Sequence, residues 1–249
     1  MAHGESFSAT NLREQIEKVL NTKELAYPVK LVDFSFRNFN FKYLDVKLHY
    51  WNVIQIHELL DDSKVFPEQL DDNIWYQYIS AYLILPKMKE LIELNRLAWN
   101  DALKHYNNRY IKEAVRISLD LLKSPTLNNK VVEHTPIESN NSLILDRINT
   151  VLSKKDLFYP LNLLEILLRN MEIKIHYSNI IPMHTFLKYT GVLTAEYDYN
   201  LWYRCVAAYI IATYVDIEKL VELNKCGWTE TARQESERLV LNADIITLL

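Results

Sequence analysis

Over residues 142–153 the apolar side chains Leu143, Ile144, Ile148, Val151 and Leu152 recur at the three- and four-residue spacing of one helix face. Tyr159-Pro160 then predicts the opening of a second helix over 161–168, with the proline where its missing N–H costs least. The period changes next: Met171, Ile173, Ile175 and Tyr177 alternate with polar residues, which predicts a short strand. A helix over 180–189 follows, closed by Thr190-Gly191. From 195 to about 240 the spacing is helical again, the longest such run, with breaks at 213–216 and Gly227.

The first half of the chain carries more alternation. Val32, Phe34 and Phe36, then Phe39, Phe41 and Tyr43, then Val46, Leu48 and Tyr50 each skip a residue, and Arg37-Asn38 sits between the first two runs. We read an aromatic β-hairpin within 32–50, in preference to the alternative of a distorted helix lined with aromatics. Residues 72–123 read as long helices with a break or kink at Pro86 and a second break at Asn107-Asn108. Between the halves, 124–141 mixes Pro125, Pro136, Ser139 and several asparagines without apolar periodicity, the pattern of a linker.

The two halves use the same residues in the same order. Lys47, His49, Tyr50, Asn52, Ile54 and His57 return as Lys174, His176, Tyr177, Asn179, Ile181 and His184. Upstream, Ile16, Leu20, Lys23, Leu25 and Tyr27-Pro28 match Ile148, Leu152, Lys155, Leu157 and Tyr159-Pro160, and Arg37-Asn38 matches Arg169-Asn170. Downstream, Trp75-Tyr76, Ala81-Tyr82 and Ile84 match Trp202-Tyr203, Ala208-Tyr209 and Ile211, then Glu93-Leu94-Asn95 and Trp99 match Glu222-Leu223-Asn224 and Trp228. Four blocks in one order predict an internal duplication, and a long-period repeat decides architecture before local signals do. The expected organisation is a first repeat domain at 1–123, the linker at 124–141 and a second repeat domain at 142–249.

Composition narrows the fold class. A 49% apolar fraction in 249 residues can fill a core in each half, and only three glycines leave few positive-φ turns for an all-β fold or a phosphate-cradling loop. The chain is therefore expected to be mainly α, with a minor hairpin or strand per copy and the two lobes related by a pseudo-two-fold. The net charge is −4, with −1 over residues 1–123 and −3 over the rest, so neither half carries the basic excess that displaces counterions from nucleic acid. The polar start of the chain has no secretory signal, and the longest apolar stretch, 74–85, holds Gln77 and Ser80 and is too short to cross a bilayer. A soluble intracellular protein, cytoplasmic or nuclear, is the expectation.

Candidate chemistry is sparse. Cys205 and Cys226 lie in apolar helical patterns with no twins in the first half, which fits two buried free thiols. Trp75 and Tyr82, like Trp202 and Tyr209, are seven apart on one helix face and read as core rather than as an aromatic platform for a ligand. Glu93-Leu94-Asn95 and its twin read as a polar anchor between helices. Four of the seven histidines are repeat-matched, but His49 and His57, and likewise His176 and His184, are eight apart. Two helical turns span about 12 Å, too far for both imidazoles to grip one zinc, so no metal or other cofactor is expected. The acidic residues Asp61, Asp62, Asp71 and Asp72 have no counterpart in the second half and read as solvated loop and helix N-terminal charge.

One enzymatic pattern is present. Arg169 and His176 enclose six residues, which is similar to the Arg-X4-6-His motif of HEPN-type helical ribonucleases. The resemblance implies a histidine acting as acid or base and an arginine clamping the scissile phosphate. In the first half Arg37 and His49 enclose eleven residues, outside that spacing.

The leading expectation is a non-enzymatic interaction or scaffold subunit that binds a partner protein in a helical groove or on a strand edge. The alternatives are a HEPN-like RNA-processing role and a ligand pocket lined by tyrosines. The partner surface is placed where the copies diverge: Phe34, Phe36, Phe39, Phe41 and Tyr43 in the aromatic insert, and Asp61, Asp62, Asp71 and Asp72 beside it. Covalent joining of two former subunits makes the chain an intramolecular pseudo-dimer, acting as a monomer or as one subunit of a complex.

Overall fold

A computed structural model describes residues 9–39, 48–97, 101–122, 139–194, 196–225 and 229–242. The chain divides into two compact units, Met1–Asn128 and Asn129–Leu249. The described part is mainly helical, and no strand occurs among the described residues.

The first unit holds α1 (Ala9–Asn21), α2 (Ala26–Arg37), α3 (Tyr50–Asp62), α4 (Asp72–Ile84), α5 (Met88–Asn95) and α6 (Asp101–Leu122). The second holds α7 (Ser139–Ser153), α8 (Phe158–Arg169), α9 (Tyr177–Tyr189), α10 (Tyr199–Tyr214), α11 (Ile217–Lys225) and α12 (Glu230–Asn242). Single 3-10 turns at Lys23–Leu25, Leu85–Lys87 and Lys155–Leu157 join neighbours. Each unit is built around one apolar helix. In the first, α4 packs on α1, α2, α3 and α6, and Trp75, Tyr76 and the run Ile79–Ile84 are buried. In the second, α10 packs on α7, α8 and α9, with Trp202, Tyr203 and Cys205–Ala208 among its buried residues.

The aromatic hairpin is corrected by this arrangement. Val32, Phe34 and Phe36 lie in α2, because Val29, Val32 and Phe36 also have helical spacing and all three are buried together. Phe34 is left on the outside, and Asp33 and Arg37, one turn apart, form an ion pair. The remainder of the expected hairpin, 40–47, lies outside the described residues. Residues 171–176 likewise form no strand but an irregular connection, in which Ile175 is buried, and Tyr177 is already helical. The expected break at Asn107-Asn108 is absent, since α6 runs unbroken through both. Asn107 is buried there and needs a partner rather than a turn. The expected break at Gly227 and residues 124–138 of the expected linker lie outside the described residues, while 139–141 open α7.

Helix ends show how a glycine-poor chain stops. After α2 and α8 the residues at positive φ are Phe39 (48°) and Met171 (58°), each following an asparagine whose N–H bonds the carbonyl four residues back. After α3 the Val65 N–H reaches Leu60 O at 2.9 Å and Lys64 stands at φ 52°; after α9 Gly191 stands at φ 72°. A side-chain-bearing residue in this region costs roughly 1–2 kcal/mol, part of which glycine returns through the freedom of its unfolded state. Lys64→Gly is therefore expected to raise stability by about 0.5–1 kcal/mol, read as a higher urea midpoint. Gly191→Ala should lower it by about 1 kcal/mol. An added Cβ at Gly191 would meet nothing within 4 Å, so that loss is purely conformational.

Ser80 lies fully buried in α4, its Oγ without a hydrogen-bond partner among the described residues, while the corresponding position in α10, counted from the Trp75 and Trp202 positions, is the buried Ala207. A buried unpaired hydroxyl costs about 1–3 kcal/mol, and alanine is the better helix former. Ser80→Ala should accordingly stabilise the chain by about 1 kcal/mol in urea denaturation.

Candidate functional site

The repeat-matched polar residues are engaged inside each unit. The Trp75 indole N–H donates to Nδ1 of His57 at 3.2 Å, and the Trp202 indole N–H donates to Nδ1 of His184 at the same distance. These bonds tie α3 to α4 and α9 to α10. His184 is buried and Trp202 fully so, and a second aromatic ring lies near each imidazole: Phe66 at 5.5 Å from His57, Tyr197 at 6.0 Å from His184. An Nδ1 that accepts carries no proton, so each imidazole is held as the tautomer with its hydrogen on Nε2. His49 and His176 occupy a different place, each as the N-cap residue ahead of α3 and α9.

Arg37 and Arg169 are held in corresponding ways. Arg37 pairs with Asp33 and lies 4.4 Å over the Tyr76 ring. Arg169 pairs with Glu165, donates from Nη1 to Asn200 Oδ1 at 2.8 Å, and faces the rings of Tyr199 and Tyr203 at 4.8 and 5.4 Å. Arg204 adds a second cation near Glu165 and donates to Asn162. Such stacking desolvates the guanidinium and fixes its plane.

Asn95 and Asn107 exchange amide bonds of 2.8 and 3.1 Å between α5 and α6, and Asn95 also donates to Leu91 O at 2.7 Å. In the second unit Asn224 repeats the bond to the carbonyl four residues back, Leu220 O at 2.7 Å. Ser236, the counterpart of Asn107, is fully buried there and its Oγ has no partner among the described residues. The anchor expected at Glu93-Leu94-Asn95 is thus the asparagine.

Those of the expected partner-binding residues that the structure describes differ in burial. Phe34 is 53% exposed, whereas Phe36 is core, 6.4 Å from the Tyr76 ring. Phe39 is half-buried at the end of α2, and Phe41 and Tyr43 lie outside the described residues. Asp61 and Asp62 are exposed at the end of α3. Asp71 is the N-cap of α4, its carboxylate accepting from Ile74 N–H at 2.7 Å, and Asp72 is the first helical residue. Asp71 does have a counterpart: Asp198 caps α10 by accepting from Leu201 N–H at 2.8 Å. The signal was the four-residue step to tryptophan, Asp71 to Trp75 and Asp198 to Trp202.

What stands out instead is the outward stripe of α2. Lys30 and Phe34, one turn apart, are exposed, and Lys23 is exposed on the 3-10 turn ahead of them. On α8 the position matching Phe34 is Ile166, 54% exposed, and Lys155 matches Lys23. Ile166 carries no signal of its own in the sequence, because it sits inside a strongly apolar helix.

Burial pushes the Cys205 thiol up to about 11, while Cys226 lies outside the described residues. An unfolded cysteine ionises near pH 8.5, so the unfolded chain releases this proton first. The corresponding stability is complete below about pH 8.5 and is lost as the pH rises toward 11. Native protein treated with iodoacetamide at pH 8.5 should leave the Cys205 peptide unmodified, and denaturant should release it for full alkylation.

Among the described residues no group of histidine, cysteine, aspartate and glutamate could hold a metal ion, and no helix is long and apolar enough to cross a membrane. No known family, curated protein or solved structure matches the chain.

Proposed function

We propose that the chain is a tandem duplication acting as a non-enzymatic scaffold or adaptor subunit, which binds a partner protein through an outward helix face. The observation that carries the reading is the pair Phe34 and Ile166, large apolar residues at matching positions on α2 and α8 and more than half exposed in both. A single exposed apolar residue is ordinary on a protein surface; what favours a covered site is the recurrence of one at the same position of both halves. The shared internal anchors support the duplication. His57 with Trp75, Arg37 with Tyr76 and Asp71 on α4 have counterparts in His184 with Trp202, Arg169 with Tyr203 and Asp198 on α10.

The same contacts weigh against a ribonuclease of the Arg–His kind. Arg169 would have to leave Glu165, Asn200 and two tyrosine rings to clamp a phosphate. Affinity purification of the intact chain followed by mass spectrometry is expected to return a defined protein partner at constant stoichiometry. RNA cleavage that disappears on Arg169→Ala or His176→Ala would overturn the scaffold reading.

A further inference from the structure

The charge around Phe34 specifies what covers it. The two acids of this segment are neutralised inside the unit, Glu24 by Arg96 at 3.7 Å and Asp33 by Arg37. Lys23 and Lys30 are exposed and form no ion pair among the described residues. On α2 one large apolar residue is therefore exposed with an unpaired ammonium group one turn before it, roughly 6 Å along the axis, and Lys23 adds a second exposed ammonium on the 3-10 turn that precedes the helix. On α8 Ile166 repeats Phe34, and Lys155 on the preceding 3-10 turn repeats Lys23, but Asn162 stands where α2 has Lys30, so the one-turn cation belongs to the first unit alone; Glu165 is again neutralised, by Arg169 and Arg204.

We infer that the outward face of α2 docks an acidic amphipathic helix of a partner protein, its apolar residue on Phe34 and its carboxylates against Lys30 and Lys23. This rests on the scaffold reading and names the partner's chemistry. A helix fits because its side chains recur at the same one-turn spacing as the stripe it must match, and complementary charge fixes register and excludes basic partners. A membrane surface fits less well, since interfacial helices need a continuous apolar face and the one on α2, Val29, Val32 and Phe36, is turned inward. Two lysines are likewise few for a nucleic-acid backbone.

The test places the photo-crosslinking residue p-benzoylphenylalanine at position 34 of the full chain, irradiates it in source-cell extract and sequences the crosslinked peptide. The expected adduct is a protein segment of net negative charge with apolar residues at three- and four-residue spacing, and its yield should fall at least tenfold with Lys23→Glu/Lys30→Glu. An adduct on a basic segment, on a second copy of this chain or on lipid or RNA would overturn the inference, as would no adduct or a yield indifferent to charge reversal. A partner that still copurifies while position 34 gives no adduct sinks only the docking site; absence of both sinks the scaffold reading as well.

Discussion

Replacing His184 by alanine is expected to cost about 2–4 kcal/mol. His184 is 2% exposed and Trp202 is 0% exposed, so without the imidazole the indole N–H that it accepts is stranded where water does not replace the bond. An unpaired buried donor costs about 1–3 kcal/mol, and the vacated imidazole volume adds a cavity cost of about 1 kcal/mol or more. His57→Ala removes the same bond, but His57 is only half-buried, so its loss should be clearly smaller. Amide exchange resolved by mass spectrometry would show faster exchange in α9 and α10 for the first variant and in α3 and α4 for the second. A double-mutant cycle of His184→Ala with Trp202→Phe should give a coupling energy of about 1 kcal/mol. Equal costs for the two histidines, or no coupling, would show that the bond contributes little.

Arg147→Ala should destabilise the second unit by about 2–3 kcal/mol. The C-terminal carbonyls of a helix lack partners within it, and α10 solves this with an arginine from α7. Arg147 Nε donates to Ala212 O at 2.6 Å and Nη2 to Val215 O at 3.2 Å, a fork that also places positive charge at the negative end of the helix dipole. Unit one closes the equivalent end differently: the Ser118 hydroxyl, from α6, donates to Leu83 O at 3.2 Å, and the Pro86 turn follows. Position 15, which matches Arg147, is a glutamine bonded within its own helix to Asn11. Gln15→Ala is therefore expected to cost no more than about 0.5 kcal/mol. Urea denaturation of the two variants separates these outcomes, and similar losses would mean that Arg147 is not the cap.

The helical class was readable because apolar spacing and scarce glycine point the same way. So were the kink at Pro86 and the stop at Gly191, where one residue type dictates one backbone conformation. The hairpin was misread because a run such as Val32, Phe34, Phe36 satisfies two periods at once, and only the partner helix α4 decides that Phe34 faces out. Asn107 was misread for a related reason. An asparagine is a turn signal when alone and a helix–helix bolt when another asparagine stands opposite, and the fold supplies Asn95.

The site was less legible than the fold. Arg169-Asn170 and His176 suggested chemistry by spacing alone, but the tyrosines and carboxylate that occupy Arg169 come from positions as far as 34 residues away in sequence. Alternation groups Phe34 with Phe36 and Phe39, of which the structure buries Phe36 and half-buries Phe39. The exposed residue one turn back from Phe34 on α2 is Lys30, and Lys23 is exposed on the 3-10 turn before the helix.

The paired indole–imidazole bonds make the molecule its own spectrometer. Trp75 and Trp202 have their side-chain protons tied to a ring nitrogen, one in each unit. Selective nitrogen-15 labelling of tryptophan would give each unit a private resonance. On slow heating, one signal fading while the other holds would reveal separate melting; simultaneous loss would reveal a single cooperative event.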